Sequence, residues 1–380
     1  MKYRSRLIIN LENLRFNYSA IKKMSPDSQI LFMVKADGYG HGMIPIVHFA
    51  VTDLGIKEFG CASFAEALEL REELSELEFD IYVFSDTHLM EPENAEIYAK
   101  RRILPVISNL LELEFLLHSP ELINLPICLK FNTGMNRLGL DPMDTPKIVN
   151  MLKLHGRHSI HHLFSHYANA SFSMKTDERN IFQRTRFLEI KKFFFDSGII
   201  LERTSQSNSG AIEQKAGFTH EGDSHIRPGL MMYGPTSLLA ENDQGGNFQG
   251  KTVSRLETYI IRTFEVVAGT PLGYNSTPCP RDGVVAILAI GYGDGFSTHY
   301  SGAHLYHKGF EGQIIGRVNM DMIQVLFPVE ANQHLKAQDV FIIWGQQEGD
   351  LLKFSKETKT IPYEIFCSIL PRIPRVYRLE

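Results

Sequence analysis

The sequence predicts an α/β fold in which an N-terminal (β/α)8 TIM-like barrel is followed by a mainly β C-terminal domain. Strand-like and helix-like segments alternate between residues 29 and 234, and eight such β/α units in about 200 residues are typical of a barrel. After a polar, glycine-rich stretch at 237–251, the apolar segments become short and β-branched, with little room for helices between them. We therefore expect two domains joined by a linker.

The barrel strands are predicted from short apolar runs bounded by turn residues, and the helices from apolar residues at three- and four-residue spacing. Strands are expected at 29–36, 59–64, 80–85, 102–108, 126–132, 160–166, 204–209 and 226–232. Helical connectors include 11–24, 64–77, 144–154 and 177–195. We assign residues 10–240 to the barrel, and residues 1–9 and 241–380 to the β domain.

Length and composition fit a protein of two domains. The chain has 380 residues, more than one ordinary core needs, and its 43% apolar and 22% charged residues are typical of a globular protein. The net charge of -5 argues against nucleic acid or an anionic membrane as the main partner. No apolar run has the length of a membrane span or a signal-peptide core, so we expect a cytoplasmic protein. The four cysteines are scattered without a CxxC pair, which favours reduced thiols over disulfides or a zinc knuckle.

The chemistry is expected around Lys35, at the end of the first barrel strand. The stretch from Ile30 to Gly42 reads I-L-F-M-V-K-A-D-G-Y-G-H-G, a buried strand that leaves the core into a glycine-rich turn. An ammonium against an apolar strand is poorly solvated, which lowers its pKa and makes a neutral amine available to attack a carbonyl. A lone lysine at a strand end more often reaches water, so this assignment depends on accompanying motifs.

The segment V-K-A-D-G-Y-G-H-G resembles the cofactor-lysine motif of the alanine racemases, which are pyridoxal-phosphate enzymes of fold type III built on an eight-stranded barrel. The resemblance runs from Asn10 to Arg375 through several motifs in the expected order. It implies that Lys35 binds pyridoxal phosphate. It also implies an isomerase that interconverts L- and D-alanine and supplies D-alanine for peptidoglycan.

The resemblance extends to the residues that would hold the cofactor. The turns S-Q-S-N-S-G-A and I-R-P-G-L follow the seventh and eighth strands, where barrels commonly bind phosphate. Arg227 resembles the partner of the ring nitrogen; because a guanidinium keeps its proton, it favours proton removal and return over transamination. His166 resembles the histidine that links Arg227 to a catalytic tyrosine. The implied phosphate grip consists of Tyr39, Ser209, Gly229 and Leu230, with Asn208 beside them.

Racemisation needs an acid or base on each face of the α-carbon. Tyr274, in T-P-L-G-Y-N-S-T of the β domain, matches the family's catalytic tyrosine, which reaches the other subunit's barrel. The resemblance therefore implies a homodimer with a shared active site, in which Lys35 takes the proton from D-alanine and Tyr274 takes it from L-alanine. A free tyrosine has a pKa of about 10, so Tyr274 would need the charge of Arg227 and His166 nearby.

Three further motifs imply the substrate-binding residues. K-F-N-T-G-M-N-R-L-G at 130–139 supplies Arg137, whose guanidinium matches the geometry of a carboxylate. Lys130 lies on the strand behind it; some family members carry a carbamylated lysine at this place, and the sequence leaves this open here. I-G-Y-G-D-G and G-R-V-N-M-D place Tyr292 and Met320 at the pocket, where a bulky ring would favour alanine.

Two positions concern the gate and the specificity of the pocket. Many members carry a tyrosine just before the arginine of the final motif, whereas L-P-R-I-P-R has Pro371 there, which removes a hydroxyl from the phosphate grip and the gate. Asn319 precedes Met320 at a variable place near the substrate. A racemase of broader specificity, acting for example on serine, therefore stays open.

Four competing hypotheses each account for fewer of these motifs. G-Y-G-H-G with Glu58 about twenty residues on could be a dinucleotide loop, but its third glycine is at 42 rather than 43. Histidines at 155, 158, 161, 162 and 166 include i,i+4 pairs, yet their segment is predicted as a strand, so no metal site is expected. A pyridoxal-phosphate carrier would lack the β domain. A decarboxylase would have an acid in place of Arg227 and a cysteine motif unlike C-S-I-L-P-R-I-P-R.

Overall fold

The computed structural model describes residues 3–214, 223–238, 248–345 and 350–379. Over these residues the chain forms one eight-stranded parallel sheet, one eight-stranded mixed sheet and two sheets of two short strands. The predicted fold class, a (β/α)8 barrel with a mainly β C-terminal domain, is confirmed.

The strands are numbered in chain order. They are β1 (Arg6–Asn10), β2 (Gln29–Met33), β3 (Glu58–Ser63), β4 (Asp80–Asp86), β5 (Ile103–Ile107), β6 (Cys128–Lys130), β7 (Ser159–Ile160), β8 (His162–Phe164), β9 (Ile200–Leu201), β10 (Thr204–Ser205), β11 (His225–Ile226), β12 (Ser254–Val266), β13 (Pro271–Leu272), β14 (Thr277–Pro278), β15 (Gly283–Leu288), β16 (His304–His307), β17 (Phe310–Ile315), β18 (Ile323–Phe327), β19 (Val340–Trp344) and β20 (Arg375–Arg378). The α-helices span Leu11–Met24, Met43–Thr52, Phe64–Glu73, Pro92–Arg101, Leu110–His118, Thr145–Leu154, Glu178–Asp196, Ser209–Glu213, Leu230–Tyr233, Asp350–Glu357 and Pro362–Cys367.

The barrel strands follow one another in the order β10-β8-β6-β5-β4-β3-β2-β11, and every pair is parallel. A bridge between Asn208 and Arg227 joins the two outer strands just beyond their ends, so the barrel is nearly closed. All five residues of β5 are buried, as expected for a parallel strand covered on both faces. Because the strands run the same way, their carboxyl ends meet at one face of the barrel, and this face carries Lys35.

The last two predicted strands are much shorter than expected. They end at Ser205 and Ile226 instead of continuing to residues 209 and 232. The side chain of Asn208 accepts a hydrogen bond from the amide of Ala211 and thereby starts a short helix. Capping of this kind depends on one side chain rather than on apolar periodicity, so the apolar pattern extended these strands too far.

The helix Phe64–Glu73 also starts with a side-chain cap. Ser63 accepts a hydrogen bond from the amide of Glu66, and the Glu66 carboxylate accepts one from the amide of Ser63. This reciprocal pair is a capping box. It sets the start of the helix directly after β3 and fixes the Glu66 carboxylate at the carboxyl face of the barrel.

The second sheet has the order β16-β17-β18-β15-β12-β1-β20, and β19 also pairs with β12. The long strand β12 is antiparallel to β1, β15 and β19. β1 is in turn parallel to β20, so the first strand of the chain and its last strand lie side by side in this sheet. Most of the predicted linker 237–251 lies outside the described residues.

No helix in the described parts of the chain is long and apolar enough to cross a membrane.

Candidate active site

Lys35 begins an unusual turn at the carboxyl end of β2. Ala36, Asp37, Gly38 and Tyr39 have φ between 52° and 61°, and Gly40 has φ of 77°, so five consecutive residues have positive φ. Such a conformation is disfavoured for residues with a side chain and persists only where neighbours hold it. The predicted glycine-rich turn is therefore present, but its strain falls partly on an alanine and an aspartate.

Contacts from distant parts of the chain hold this turn. The amide of Ala36 donates to the Glu66 carboxylate at 2.7 Å, and the amide of Met43 donates to Asp37 Oδ1 at 2.7 Å. Arg375 donates from Nε to the carbonyl of Gly40 at 3.1 Å. A Cβ at Gly40 would lie 2.1 Å from the carbonyl oxygen of Phe366, so only glycine fits there. The turn is thus clamped between the barrel and the C-terminal segment.

A cavity of about 240 Å³ opens beside Lys35 at the carboxyl face of the barrel. Most of its lining comes from the converging strand ends of the barrel, and Tyr363 from the C-terminal segment also lines it, so it brings together residues that are up to about 330 positions apart in the chain. The predicted site residues that line it are Lys35, Tyr39, Lys130, Arg137, His166, Asn208, Ser209, Arg227 and Gly229. Leu230 is wholly buried directly after Gly229.

Two lysines in the cavity are destabilised as ammonium ions. Burial, and then the charge of Arg137, lower the pKa of Lys35, while Glu66 and Cys367 act in the opposite direction. Burial, followed by Arg227, Arg137 and Lys35, lowers the pKa of Lys130 to about 8. Among the described residues, the lining of the cavity contains no carboxylate. An excess of cations without an acid is the arrangement expected for a site that binds anionic groups.

Arg227 is wholly enclosed and holds His166. Its Nη1 donates to the carbonyl and the hydroxyl of Ser205, at 2.7 and 2.6 Å, and its Nη2 donates to Nδ1 of His166 at 3.2 Å. Burial lowers the pKa of Arg227 to about 10, and burial with the nearby cations holds the pKa of His166 well below its usual range. Nε of Arg227 donates to no residue in the described part of the chain, so it is the nitrogen available to a ligand.

Another part of the cavity lining has little side-chain bulk and is rich in hydroxyl groups. The amide of Gly229 donates to Ser209 Oγ at 3.0 Å, and the Tyr39 hydroxyl lies so close that a Cβ at Gly229 would be 2.4 Å from it. Burial raises the pKa of Tyr39, so its hydroxyl keeps the proton and can donate. The side chain of Asn208 donates to the carbonyl of Tyr167 at 3.2 Å. Hydroxyl and amide donors around a cleft without side-chain bulk suit a phosphate.

Several supporting residues were not found from the sequence. Asn180 and Gln183, both wholly buried on the helix Glu178–Asp196, hold the segment that follows His166. Asn180 Nδ2 donates to the carbonyl of Asn169 at 2.9 Å, and Gln183 donates to the carbonyl of His166 at 2.9 Å and accepts from the amide of Ala168 at 2.8 Å. Sequence offered no signal for them because an amide on a helix is common on the surface. Glu66, by contrast, could have been found from the pattern of a capping box, Ser63-x-x-Glu66.

Three predicted site residues lie on the second domain and do not line this cavity. Tyr274, at the tip of the hairpin formed by β13 and β14, is 67% exposed. Tyr292 is 44% exposed and Met320 is 53% exposed. Their two loops lie side by side, since the amide of Tyr292 donates to the carbonyl of Asn319 at 2.9 Å. Pro371 is exposed as well and does not line the cavity.

The dinucleotide loop and the histidine metal site do not fit the geometry. Glu58 is the first residue of β3, at the end of the barrel away from Lys35, where it pairs with Arg203 and His225. It is therefore not placed to bind a ribose beside the glycine-rich turn. His162 is wholly buried inside the barrel, whereas His155 is exposed, and the described residues contain no group of three or more side chains suited to a metal ion.

Comparison with known proteins finds both domains in one family. Residues 9–237 match the family described as alanine racemase, N-terminal domain, and residues 253–377 match its C-terminal domain. An alanine racemase of Coxiella burnetii is 31% identical over 382 residues, covering 97% of this chain and 98% of the relative.

Solved structures agree. The alanine racemase from Streptomyces coelicolor has a TM-score of 0.86 and 25% identity, covering 99% of this chain and 98% of that one. The alanine racemase from Bartonella henselae, solved with covalently bound pyridoxal phosphate, has a TM-score of 0.84 at 24% identity, covering 99% of each chain. Matched in both domains over nearly its whole length, the chain belongs to the alanine racemase family.

Proposed function

We propose that this chain is a pyridoxal-phosphate-dependent racemase that interconverts L-alanine and D-alanine, and that it acts as a homodimer. The observation that carries the proposal is the cavity at the carboxyl face of the barrel. Four cations converge there around a small volume whose described lining has no acid: Lys35, Lys130, Arg137 and Arg227. The reaction is inferred from the family to which the chain belongs. The cavity contains the kinds of side chain that this reaction requires.

The cavity fits pyridoxal phosphate at each of its ends. Tyr39, Ser209 and Gly229 form the small end, where the absence of a Cβ at Gly229 leaves room for phosphate oxygens. Arg227 would hold the ring nitrogen through Nε, which donates to no described residue. Lys35 would hold the aldehyde carbon. The cofactor seen in the racemase from Bartonella henselae supports this assignment. When bound, pyridoxal phosphate supplies an electron sink for the negative charge that forms at the α-carbon.

Arg227 favours racemisation over other reactions of the same cofactor class. Its guanidinium stays charged and cannot give a proton to the ring nitrogen, so the electron sink remains weak. A weak sink favours the rapid return of the proton to the α-carbon. A decarboxylase would be expected to have an acid at this place, and no acid lines the described cavity.

Two residues would move the α-proton. Desolvation of its amine in the cavity lowers the pKa of Lys35, so the amine can accept the proton of D-alanine from one face. Tyr274 would accept the proton of L-alanine from the other face. In a single chain Tyr274 is exposed at a hairpin tip and outside the cavity. A second copy that covers the mouth of the cavity with this hairpin would complete the site, and His166 with Arg227 would lower the cost of the tyrosinate.

The substrate carboxylate would bind Arg137. Lys130 lies behind it, and since its pKa is about 8, part of its amine is neutral near physiological pH. A neutral amine can add carbon dioxide to form a carbamate with release of one proton, and the resulting anion would orient Arg137. Tyr292 and Met320, carried by the second copy, would close the pocket around a small side chain.

A second candidate is a racemase that also accepts serine. Asn319 has a buried side-chain oxygen, Oδ1, without a hydrogen-bond donor in the described residues. It lies next to Met320, so a substrate hydroxyl could donate to it. Such a pocket would accept serine in addition to alanine.

The proposal is tested by chiral analysis of the purified protein with added pyridoxal phosphate. Separate incubations with L-alanine, L-serine, L-lysine and L-ornithine should give D-alanine rapidly and the other enantiomers slowly or not at all. Comparable formation of D-serine would favour the second candidate. Failure to racemise any of them, in protein that retains the cofactor, would contradict both. The cytoplasmic location expected from the sequence stays a prediction, which fractionation of the source cells would check.

A further inference from the structure

Glu66 is a carboxylate tied directly to the Lys35 turn. Its Oε1 accepts a hydrogen bond from the amide of Ala36, the residue after Lys35, at 2.7 Å. Its Oε2 accepts from the amides of Ala62 and Ser63, at 2.7 and 3.3 Å. Three backbone donors hold this carboxylate in one place. Glu66 therefore joins the end of β3 to the turn that follows β2.

The Lys35 amine is affected by charged groups from several elements. Desolvation and the charge of Arg137 lower its pKa, while one carboxylate and one thiol raise it. The thiol belongs to Cys367, whose own pKa is raised by burial, so it stays neutral. Among the described residues that act on the Lys35 amine, Glu66 is thus the one negative charge; the other members of this set are Cys367, Lys130, Arg137 and His166. The second carboxylate of the turn, Asp37, accepts a hydrogen bond from the amide of Met43.

We propose that Glu66 is a positioning residue for the base Lys35. Its carboxylate anchors the left-handed turn at the amide of Ala36. It also provides a fixed negative charge near the lysine, in a cavity lined by cations. This rests on the proposed function only in taking Lys35 as the base. Ala36 and Asp37 have φ of 53° and 52°, a conformation that needs external support. The bond to Glu66 supplies this support next to Lys35, where a small change in the turn would redirect the amine.

The chain offers a matched control in Glu112. This residue occupies the same place in the helix Leu110–His118: its amide donates to Asn109 Oδ1 at 2.9 Å, and its Oε2 accepts from the amide of Ser108 at 3.1 Å. Its Oε1 accepts from the hydroxyl of Thr87 at 2.8 Å, away from the lysine turn. Glu112→Gln therefore measures the effect of losing an acidic cap alone. Glu66→Gln loses an acidic cap and also the charge near Lys35, so the difference between the two variants is due to that charge.

The first experiment measures the amine itself and needs no turnover. The full-length protein without cofactor is labelled with fluorodinitrobenzene at a series of pH values, and the labelled Lys35 peptide is quantified by mass spectrometry. Glu66→Gln should lower the apparent pKa of Lys35 by about one pH unit, and labelling at a pH well below that pKa should become about tenfold faster. Glu112→Gln should follow the wild type. An unchanged profile in Glu66→Gln, or an equal shift in Glu112→Gln, would overturn the counter-charge.

The second experiment separates the anchor from the charge in the enzyme with cofactor. Glu66→Asp keeps the charge but shortens the side chain, so Lys35 should titrate as in the wild type while kcat falls at least about fivefold and KM changes little. An unchanged kcat would contradict the anchoring role of Glu66. If Glu66→Gln does not fold, Glu66→Asp still tests the proposal. The labelling result stands even if the protein forms no D-alanine, so failure of the proposed function and failure of this inference are distinguishable.

Discussion

Nη2 of Arg227 donates a hydrogen bond to Nδ1 of His166 across 3.2 Å at the carboxyl face of the barrel, where Arg227 is buried and His166 is half-buried. A guanidinium has only donors, so the histidine accepts at Nδ1. Nε2 lies 3.4 Å from another donor, Nδ2 of Asn208, but the bond to the charged Arg227 is shorter and stronger, so it decides the tautomer and leaves the single proton on Nε2. The nearby cations make a second proton unfavourable. The pair therefore consists of a charged arginine and a neutral imidazole.

We expect His166 to stay neutral across the range in which ordinary histidines titrate. In ¹⁵N NMR spectra of labelled protein, assigned with the His166→Gln variant, its nitrogen shifts should remain those of the Nε2–H tautomer from pH 8 down to about 5.5. The unfolded chain binds a proton at this histidine below about pH 6.5 and the folded chain does not, so His166 makes stability fall as the pH drops. Imidazolium shifts near pH 6 would contradict the arrangement.

Lys130 should make stability rise with pH. Its pKa of about 8 in the folded protein lies below the ordinary 10.5, so the unfolded chain binds more protons between these values. Without cofactor, Lys130→Met should therefore be more stable than the wild type near pH 7 by about 3 kcal/mol, and this difference should shrink towards pH 10.5. Urea unfolding at several pH values measures it.

The exposed Lys147 provides the control, since Lys147→Met should change neither the stability nor its pH dependence noticeably. A wild-type protein that gains stability when carbon dioxide is added, together with the corresponding increase in mass, would instead show a carbamate at Lys130. A lysine that already stabilises the fold at pH 7 without carbon dioxide would refute the expected sign.

Mixing two inactive variants should restore activity if the active site is shared. Lys35→Ala lacks one base and Tyr274→Phe lacks the other, so a mixed dimer would contain one complete site and one site without either base. After random exchange of subunits, about a quarter of the wild-type activity should appear. No recovery, in a mixture shown to contain mixed dimers, would place both bases in one chain.

Lys35 and Tyr274 should each act as the base for one enantiomer of alanine. Tyr274→Phe should slow proton removal from L-alanine by about 10²-fold or more, and should slow removal from D-alanine less. Exchange of the α-hydrogen with deuterated solvent, followed separately for each enantiomer, measures the two rates. Equal slowing in both directions would argue against a tyrosine on one face and a lysine on the other.

A side chain at Gly229 should weaken cofactor binding through a single contact. The Cβ of alanine would lie 2.4 Å from the Tyr39 hydroxyl, so Gly229→Ala must displace that ring from the small end of the cavity. We expect the Kd for pyridoxal phosphate to rise about tenfold or more, as followed by fluorescence titration. In a Tyr39→Phe background the hydroxyl is absent, so adding Gly229→Ala should raise the Kd by a much smaller factor than it does in the wild type. Equal costs in both backgrounds would contradict this contact.

The sequence alone predicted where chemistry would occur along the chain. His166, Asn208 and Arg227 were identified through the resemblance of their motifs to a known family, whereas Lys35 follows an apolar run that ends in turn residues, a position that parallel barrel strands present at one face. This pattern is local and depends only on the period of the apolar residues, so it can be recognised without coordinates. The two domains could be separated for the same reason, because the apolar segments change length and spacing after residue 251.

The details of the turns could not be predicted in this way. Five consecutive residues with positive φ after Lys35 depend on bonds from Glu66 and Arg375, which are distant in sequence. The strand β10 is short, and the helix that follows it starts at the cap formed by Asn208. Asn180 and Gln183 hold a loop of the site from the helix Glu178–Asp196. The sequence pattern of this helix resembles that of an ordinary helix, so it gave no sign of this role.

By itself, therefore, the sequence determined the alternation of strands and helices, the second domain and the residue types at the strand ends, because each follows from neighbouring residues. Tertiary structure decided which of these residues face one another. It placed the four cations in one cavity without a described acid, it set Glu66 against the Lys35 turn, and it left Tyr274 exposed on the other domain. These relationships arise from barrel closure and strand register, which bring together side chains that have no relationship along the chain.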